Sequence, residues 1–160
     1  MNSPPTTLQD ALRLVRVDLS TSRWQPSAVS VLVATLASLI GSLAADAALV
    51  AVGKAVFPST NGFVHFRFSD YAKLTVIGVV VACLAWPVVT RISSAPRWLY
   101  FRLAVVVTLV LLAPDVWILL QGESAEAVAV LVAMHLAIAV VTYNCMVRIA
   151  RVQDARHSEA

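Results

Sequence analysis

Four long stretches of almost unbroken apolar sequence alternate with short polar segments along this chain. A transmembrane helix needs about 20 consecutive apolar residues, and each stretch reaches that length. The first stretch, Ser27 to Phe57, is the longest and carries one acid, Asp46, well inside it. The pattern therefore predicts four transmembrane helices, at residues 27–57, 73–92, 98–121 and 125–149.

The segments that flank these helices are short, so we expect one membrane domain at residues 27–150, an N-terminal arm at 1–26 and a polar tail at 151–160. In the arm, apolar residues recur at helical spacing; they are Leu8, Leu12, Val15 and Leu19. They predict a short amphipathic helix, either solvated or, as we prefer, lying in the membrane interface. The predicted fold class is all-α: a polytopic membrane protein with a four-transmembrane-helix bundle and this interfacial helix.

A cleaved signal peptide is the alternative for the first apolar stretch. Ala45-Asp46-Ala47 resembles a cleavage site, and arginines precede the stretch. However, the preceding segment is long and carries two acids, Asp10 and Asp18, and the apolar run continues to Val56. We therefore expect an uncleaved helix.

Composition supports a membrane location and excludes several function classes. The chain is 59% hydrophobic and 13% charged, whereas a soluble domain carries about 25% charged residues. The net charge of +3 is too small to indicate a nucleic-acid partner. Cys83 and Cys145 lie inside predicted helices, without metal-ligand spacing. No nucleotide-binding or hydrolase motif is present, so we predict no cofactor, and we do not expect an enzyme.

The basic residues favour one orientation. They concentrate in the arm, in the loop between helices two and three, and in the tail; the set is Arg13, Arg16, Arg23, Arg91, Arg97, Arg148, Arg151 and Arg156. The last loop has Glu123 and Glu126 and no Lys or Arg. The positive-inside rule then predicts a plasma-membrane protein with both termini in the cytoplasm.

Helix one carries two rows of small or polar residues spaced four apart. Ala37, Gly41 and Ala45 form a row that allows close approach of another helix. The neighbouring row is polar; it consists of Ser38, Ser42 and Asp46. We therefore expect this side of helix one to pack against protein rather than lipid.

Well inside the predicted spans, away from the basic and acidic residues near their ends, lie two carboxyls and one imidazole: Asp46, Asp115 and His135. An ionisable group in a membrane helix is costly unless it is paired or hydrated, so it is a candidate functional residue. By helical rise all three fall in the outer half of the bilayer, where their side chains could meet. We expect Asp46 to face His135, with Asp115 as a second neighbour.

Such a cluster has three interpretations. It can be a hydrogen-bonded structural cluster that fixes helix packing. Two acids and an imidazole can also share protons or bind a small cationic ligand. They could hold a divalent metal, although a transition-metal site would need more His or Cys nearby, and only His65 in the first outer loop could add one. That loop itself is either a lid over the bundle or an interfacial anchor.

Helices three and four carry a resemblance to a known family. The residues concerned are Arg97-Trp98, an apolar helix with Pro114 near its end, and VLVAMHLAIAVV at 130–141, which contains Met134-His135. This pattern resembles small, uncharacterised actinobacterial four-helix membrane proteins, catalogued as a domain of unknown function. The resemblance covers about residues 28–150. It implies the four-helix architecture and a plasma-membrane location, and no activity.

Two functions remain open from the sequence. We predict a non-enzymatic accessory or assembly subunit that sits in the lipid bilayer and packs with partner membrane proteins or as a homo-oligomer, with no nucleic acid. The alternative is a small transporter or proton-linked ligand-binding membrane protein that uses Asp46, Asp115 and His135.

Overall fold

The computed structural model describes residues 25–60 and 62–152 of the chain. Within these ranges the chain forms four α-helices joined by short connections: α1 at Ala28–Val56, α2 at Phe68–Ile92, α3 at Pro96–Leu120 and α4 at Ala125–Ile149. The predicted all-α architecture is confirmed. The predicted amphipathic helix at residues 7–19 lies outside the described residues.

All four helices are long and apolar enough to cross a membrane. Their outward faces are apolar too, since Ile40, Leu74 and Leu120 are each at least 70% exposed. The most exposed helix is α3, in which Tyr100 and Asp115 are the buried residues. Water would strongly disfavour so much exposed apolar surface, so the bundle has the character of a multi-pass membrane protein.

At its N-terminal end, α2 extends beyond the span predicted from hydropathy. The helix begins at Phe68 rather than at Lys73. Hydropathy marks only the part of a helix that matches the hydrocarbon layer, and the first turn of α2 contains the polar residues Ser69 and Asp70. A carboxylate in a first turn is favourable because it faces the positive end of the helix dipole, so Asp70 stabilises a turn that hydropathy assigns to the loop.

The helices form an antiparallel bundle in which α1 packs most extensively on α4. α4 also packs on α3, and α1 on α2, whereas α2 makes smaller contacts with α3 and α4. Two glycines of α1 allow its close approach to α4. A Cβ atom built on Gly41 would lie 2.9 Å from Val141, and one built on Gly53 would lie 2.8 Å from Val130. Because Gly41 meets Val141 and Gly53 meets Val130, α1 and α4 run in opposite directions. The first residue of α1 and the last residue of α4 therefore lie at the same end of the bundle.

The interior contains two apolar clusters. One lies toward the α2–α3 loop and includes Trp86, Tyr100 and Met146. The other lies toward the α1–α2 loop and includes Phe66 and Met134. Along the helices, the polar side chains fall between these clusters. We call this set the polar layer: Ser42, Asp46, Thr75, Asp115, His135 and Thr142.

Aromatic residues fix the helices together at the α2–α3 loop end. The indole Nε1 of Trp86 donates a 2.8 Å hydrogen bond to the carbonyl oxygen of Ala150, the residue that caps α4. The hydroxyl of Tyr100 donates to the carbonyl oxygen of Ala82 at 3.0 Å. The rings of Trp86 and Tyr100 pack edge to face with centroids 5.1 Å apart. Because carbonyls in the last turn of a helix lack intrahelical donors, Trp86 satisfies a group that would otherwise be unpaired.

Candidate functional site

Asp115 of α3 and His135 of α4 meet in the polar layer. Oδ2 of Asp115 lies 3.1 Å from Nδ1 of His135, and Asp115 is only 4% exposed. The same Nδ1 lies 3.0 Å from the carbonyl oxygen of Leu131. Nδ1 therefore faces two acceptors. A proton on Nδ1 gives an imidazole donor, and a proton on the carboxyl instead makes Asp115 the donor to Nδ1.

Asp46 of α1 has a different partner from the one the sequence predicts. Its Oδ2 accepts a 2.6 Å hydrogen bond from the hydroxyl of Thr75 on α2, and the carboxyl is fully buried. His135 lies within electrostatic range of Asp46, yet its close contact is with Asp115. The sequence predicted that Asp46 faces His135 with Asp115 as a second neighbour, and the structure adds Thr75 as the hydrogen-bond partner of Asp46. Thr75 lies on the buried face of α2, level with Asp46 along the bundle, so its hydroxyl reaches the carboxyl.

Four buried polar atoms of this layer lack a hydrogen-bond partner among the described residues. They are Ser42 Oγ, Asp46 Oδ1, Asp115 Oδ2 and Thr142 Oγ1. For Asp115 Oδ2 the imidazole is close, but the hydrogen-bond geometry of Nδ1 favours Leu131. Buried polar atoms in proteins are usually paired with protein groups or ordered water. Each carboxyl thus retains one oxygen that can accept a proton or a donor from a ligand.

Comparison with known proteins places the chain in a family. The description of that family, DUF6069, reads family of unknown function, and its match spans residues 19–152. The chain belongs to DUF6069. No curated protein and no solved structure matched in the corresponding comparisons.

The DUF6069 match includes every residue of the polar layer. By helical rise, Asp46 and His135 lie about 15 Å from the helix ends nearest the α1–α2 loop, Thr75 about 10 Å and Asp115 about 8 Å. These four residues therefore sit within the helical part of the domain and nearer to one end, whereas Ser42 and Thr142 lie deeper, about 21 Å and 26 Å from the same helix ends. Each of the four helices contributes at least one polar side chain to it.

A metal centre has little support in the described part of this DUF6069 chain. No group of three or more His, Cys, Asp or Glu side chains there could hold a metal ion. Asp46, Asp115 and His135 come from three helices, and only the last two are in direct contact. Cys83 and Cys145 are free thiols.

The small-residue row of α1 packs inside the bundle. Gly41 lies against Val141 of α4, while Ala37 and Ala45 are half-buried. The polar row beside it, Ser38, Ser42 and Asp46, is fully buried. The row thus serves the α1–α4 contact, and a partner protein is not needed to explain it.

Thr75 and Tyr71 are site residues that the sequence interpretation missed. Thr75 binds Asp46, and Tyr71 lies one turn away, within electrostatic range of the same carboxyl. The buried face of α2 follows a spacing of four and could have revealed both; its first members are Tyr71, Thr75, Val79 and Cys83. A threonine is common in membrane helices and carries no charge, so hydropathy alone did not distinguish it.

Proposed function

We propose that this DUF6069 protein couples the uptake and release of a proton at Asp115 and His135 to the binding or transport of a small ligand across or within the plasma membrane. The polar layer is the part of the bundle in which this happens. Asp46, which accepts a hydrogen bond from Thr75, is the second carboxyl of the polar layer. No catalytic step is part of the proposal.

The observation that carries the proposal is the contact between the buried Asp115 carboxyl and the half-buried His135 imidazole. A carboxyl and an imidazole 3.1 Å apart can pass a proton between them without large movement of either side chain. Because Asp115 is only 4% exposed, its electrostatic interactions are stronger than in water, and the balance between the ionic and neutral forms of the pair responds to small changes nearby. A cluster that served packing alone would be expected to have its carboxyl oxygens paired.

Infrared spectroscopy of the reconstituted protein can test the proposal directly. Difference spectra between two pH values should show a carboxyl band that appears as Asp115 is protonated. Asp115→Asn should remove this band, and His135→Gln should shift the pH at which it appears. Asp70→Asn is the matched control because Asp70 lies in the first turn of α2, away from the layer. A protein with no pH-dependent carboxyl band would contradict the proposal.

A ligand or proton must also reach the layer from one side of the membrane. The proposal requires that Asp46→Cys, in a Cys83→Ala/Cys145→Ala background, reacts with a water-soluble thiol reagent. Ala34→Cys, buried on the same face about three turns away toward the other end of α1, is the control and should stay unreactive. If Asp46→Cys never reacts from either side, the coupling mechanism fails.

The orientation we propose follows from charge. The connection between α2 and α3 is flanked by Arg91 and Arg97, whereas the connection between α3 and α4 is flanked by Glu123 and Glu126. Under the positive-inside rule, the α2–α3 loop and both termini face the cytoplasm of an actinobacterial cell. Asp46, Asp115 and His135 then lie in the outer half of the membrane.

A second candidate function is an accessory or assembly subunit. The observation that favours it is the surface of α3, where Tyr100 and Asp115 are the buried residues and a long apolar face is open to lipid or to another membrane protein. Purification from the native membrane followed by mass spectrometry of bound proteins tests this candidate. A stoichiometric membrane partner, or a defined homo-oligomer, is expected if it holds. A partner-free monomer contradicts it.

A further inference from the structure

An open pocket lies at the α1–α2 loop end of the bundle, on the side of the polar layer that is nearer to solvent. Its volume is about 550 Å³, which is within the range of small-molecule sites. The wall combines two cations with four aromatic rings: Lys54, Arg67, Phe63, Phe66, Phe68 and Tyr71. This composition differs from that of the apolar surface around it.

The two cations give the pocket its charge. Lys54 belongs to the last turn of α1, and Arg67 is the residue that precedes α2. Within the described ranges neither forms an ion pair, and no acidic residue lines the pocket. A lysine and an arginine from different elements, both without a carboxylate partner, present a positive site for an anion.

The aromatic rings give the pocket an apolar wall. Phe63 and Phe66 pack edge to face with centroids 5.0 Å apart, and Phe68 and Tyr71 do so at 5.4 Å. Phe66 is 3% exposed and Tyr71 is 8% exposed, so the bundle holds these two rings in place. The turn that follows α1 is held as well, because the buried Thr60 donates a 2.8 Å hydrogen bond to the carbonyl oxygen of Phe57.

We propose that this pocket binds an organic anion, with a carboxylate or phosphate group between Lys54 and Arg67 and an apolar or aromatic body against the phenylalanine rings. Such a group could belong to a soluble metabolite or to an anionic lipid headgroup. The inference goes beyond the proposed function, since the pocket can bind an anion whether or not the polar layer exchanges a proton. Tyr71 lines the pocket and also lies within electrostatic range of Asp46, which places the two sites next to each other.

Binding of a defined probe to the purified full-length protein in detergent tests the inference. The probe is 1-naphthoate, and 1-naphthalenemethanol is its uncharged counterpart with the same ring system. Isothermal titration calorimetry should detect naphthoate and not the alcohol. Lys54→Gln and Arg67→Gln should each weaken naphthoate binding about tenfold, the effect of losing one charge-assisted contact. Lys73→Gln, an exposed cation on the same end but outside the pocket, should leave the affinity unchanged.

Lipid binding separates the two possible sources of the anion. Native mass spectrometry with phosphatidylglycerol and phosphatidylcholine of identical acyl chains should show selective binding of the anionic lipid, lost in Arg67→Gln, if the natural ligand is a headgroup. Naphthoate binding without such selectivity supports a soluble ligand.

Two results would overturn the inference. One is equal affinity of the wild-type protein for naphthoate and for the alcohol. The other is a loss in Lys73→Gln as large as that in Arg67→Gln, which would indicate general surface charge. Both arginine and lysine variants replace exposed side chains, and their unfolding temperatures in detergent verify that they are folded.

Discussion

The hydroxyl of Thr75 lies 2.6 Å from Oδ2 of Asp46 and joins α2 to α1 across the interior of the bundle. The contact between Asp115 and His135 joins α3 to α4 in the same layer. His135 also lies within electrostatic range of Asp46. Two polar contacts, one between α1 and α2 and one between α3 and α4, thus link all four helices in pairs inside the bundle.

Replacing Thr75 with valine should destabilise the protein. Thr75→Val keeps the shape of the side chain but leaves the buried Asp46 carboxyl without its donor, which should cost about 1–3 kcal/mol. Denaturant unfolding in detergent measures the loss. Thr108→Val on α3 is the control, since Thr108 is half-buried and lies outside the polar layer, and its substitution should change the free energy of unfolding by less than about 0.5 kcal/mol. Equal effects of both substitutions would show that the Thr75–Asp46 hydrogen bond contributes nothing.

Asp115 and His135 should behave as a coupled pair. His135→Leu leaves the buried Asp115 carboxyl without its partner, Asp115→Leu leaves the half-buried imidazole without its carboxylate, and the double substitution replaces the pair with apolar side chains. Leaving a buried charged group unpaired typically costs about 3–5 kcal/mol, while full apolar replacement is often close to neutral, so the larger loss is expected for His135→Leu. We therefore expect the double variant to be more stable than either single variant. Additive losses in a double-mutant cycle would contradict the contact.

Close packing of α1 on α4 predicts opposite effects at two glycines. Gly41→Ala should lower the free energy of unfolding by about 1–3 kcal/mol, because the new Cβ atom would lie 2.9 Å from Cγ1 of Val141. Val141→Ala in the same chain should restore most of the loss. Gly78→Ala on α2 meets nothing within 4 Å, and it should be neutral or stabilising by up to about 1 kcal/mol. Similar losses at both glycines would argue against the close approach.

Trp86 should contribute to stability through its indole nitrogen. Trp86→Phe removes the donor to the carbonyl oxygen of Ala150 and should cost about 1–3 kcal/mol in thermal or denaturant unfolding. Trp117→Phe is the matched control, because Trp117 is 63% exposed and its substitution should have little effect. A Trp86→Phe protein as stable as the wild type would show that water or another donor replaces the indole.

The helices could be predicted because the pattern that defines them is local. A run of about 20 apolar residues identifies a membrane-spanning helix without knowledge of its neighbours, and α4 at Ala125–Ile149 matches the predicted residues 125–149. The first turn of α2 was missed because the part of a helix outside the hydrocarbon layer has no such pattern. In that first turn, the sequence around Asp70, with its neighbouring aromatic residues, is as compatible with a loop as with a helix.

The candidate site could be predicted only in part. Asp46, Asp115 and His135 stand out because ionisable residues are costly in a membrane helix. Which of them touch depends on the rotation of each helix and on how the helices cross, and neither quantity is local. Thr75 is uncharged, so this cost does not identify it in the sequence, yet its hydroxyl donates the hydrogen bond that Asp46 accepts.

The two buried residues of α3 have a consequence for how that helix is set in the membrane. Between Tyr100 and Asp115 the side chains of α3 are apolar apart from Arg102 and Thr108, so lipid contact gives the helix little preference for one rotation about its axis. Tyr100 near one end and Asp115 near the other, about 22 Å apart along the axis, supply that preference through Ala82 and His135. Exchanges among the intervening apolar residues would leave the rotation intact. Inserting or deleting one residue there would turn the carboxyl about 100° away from His135 and toward the lipid.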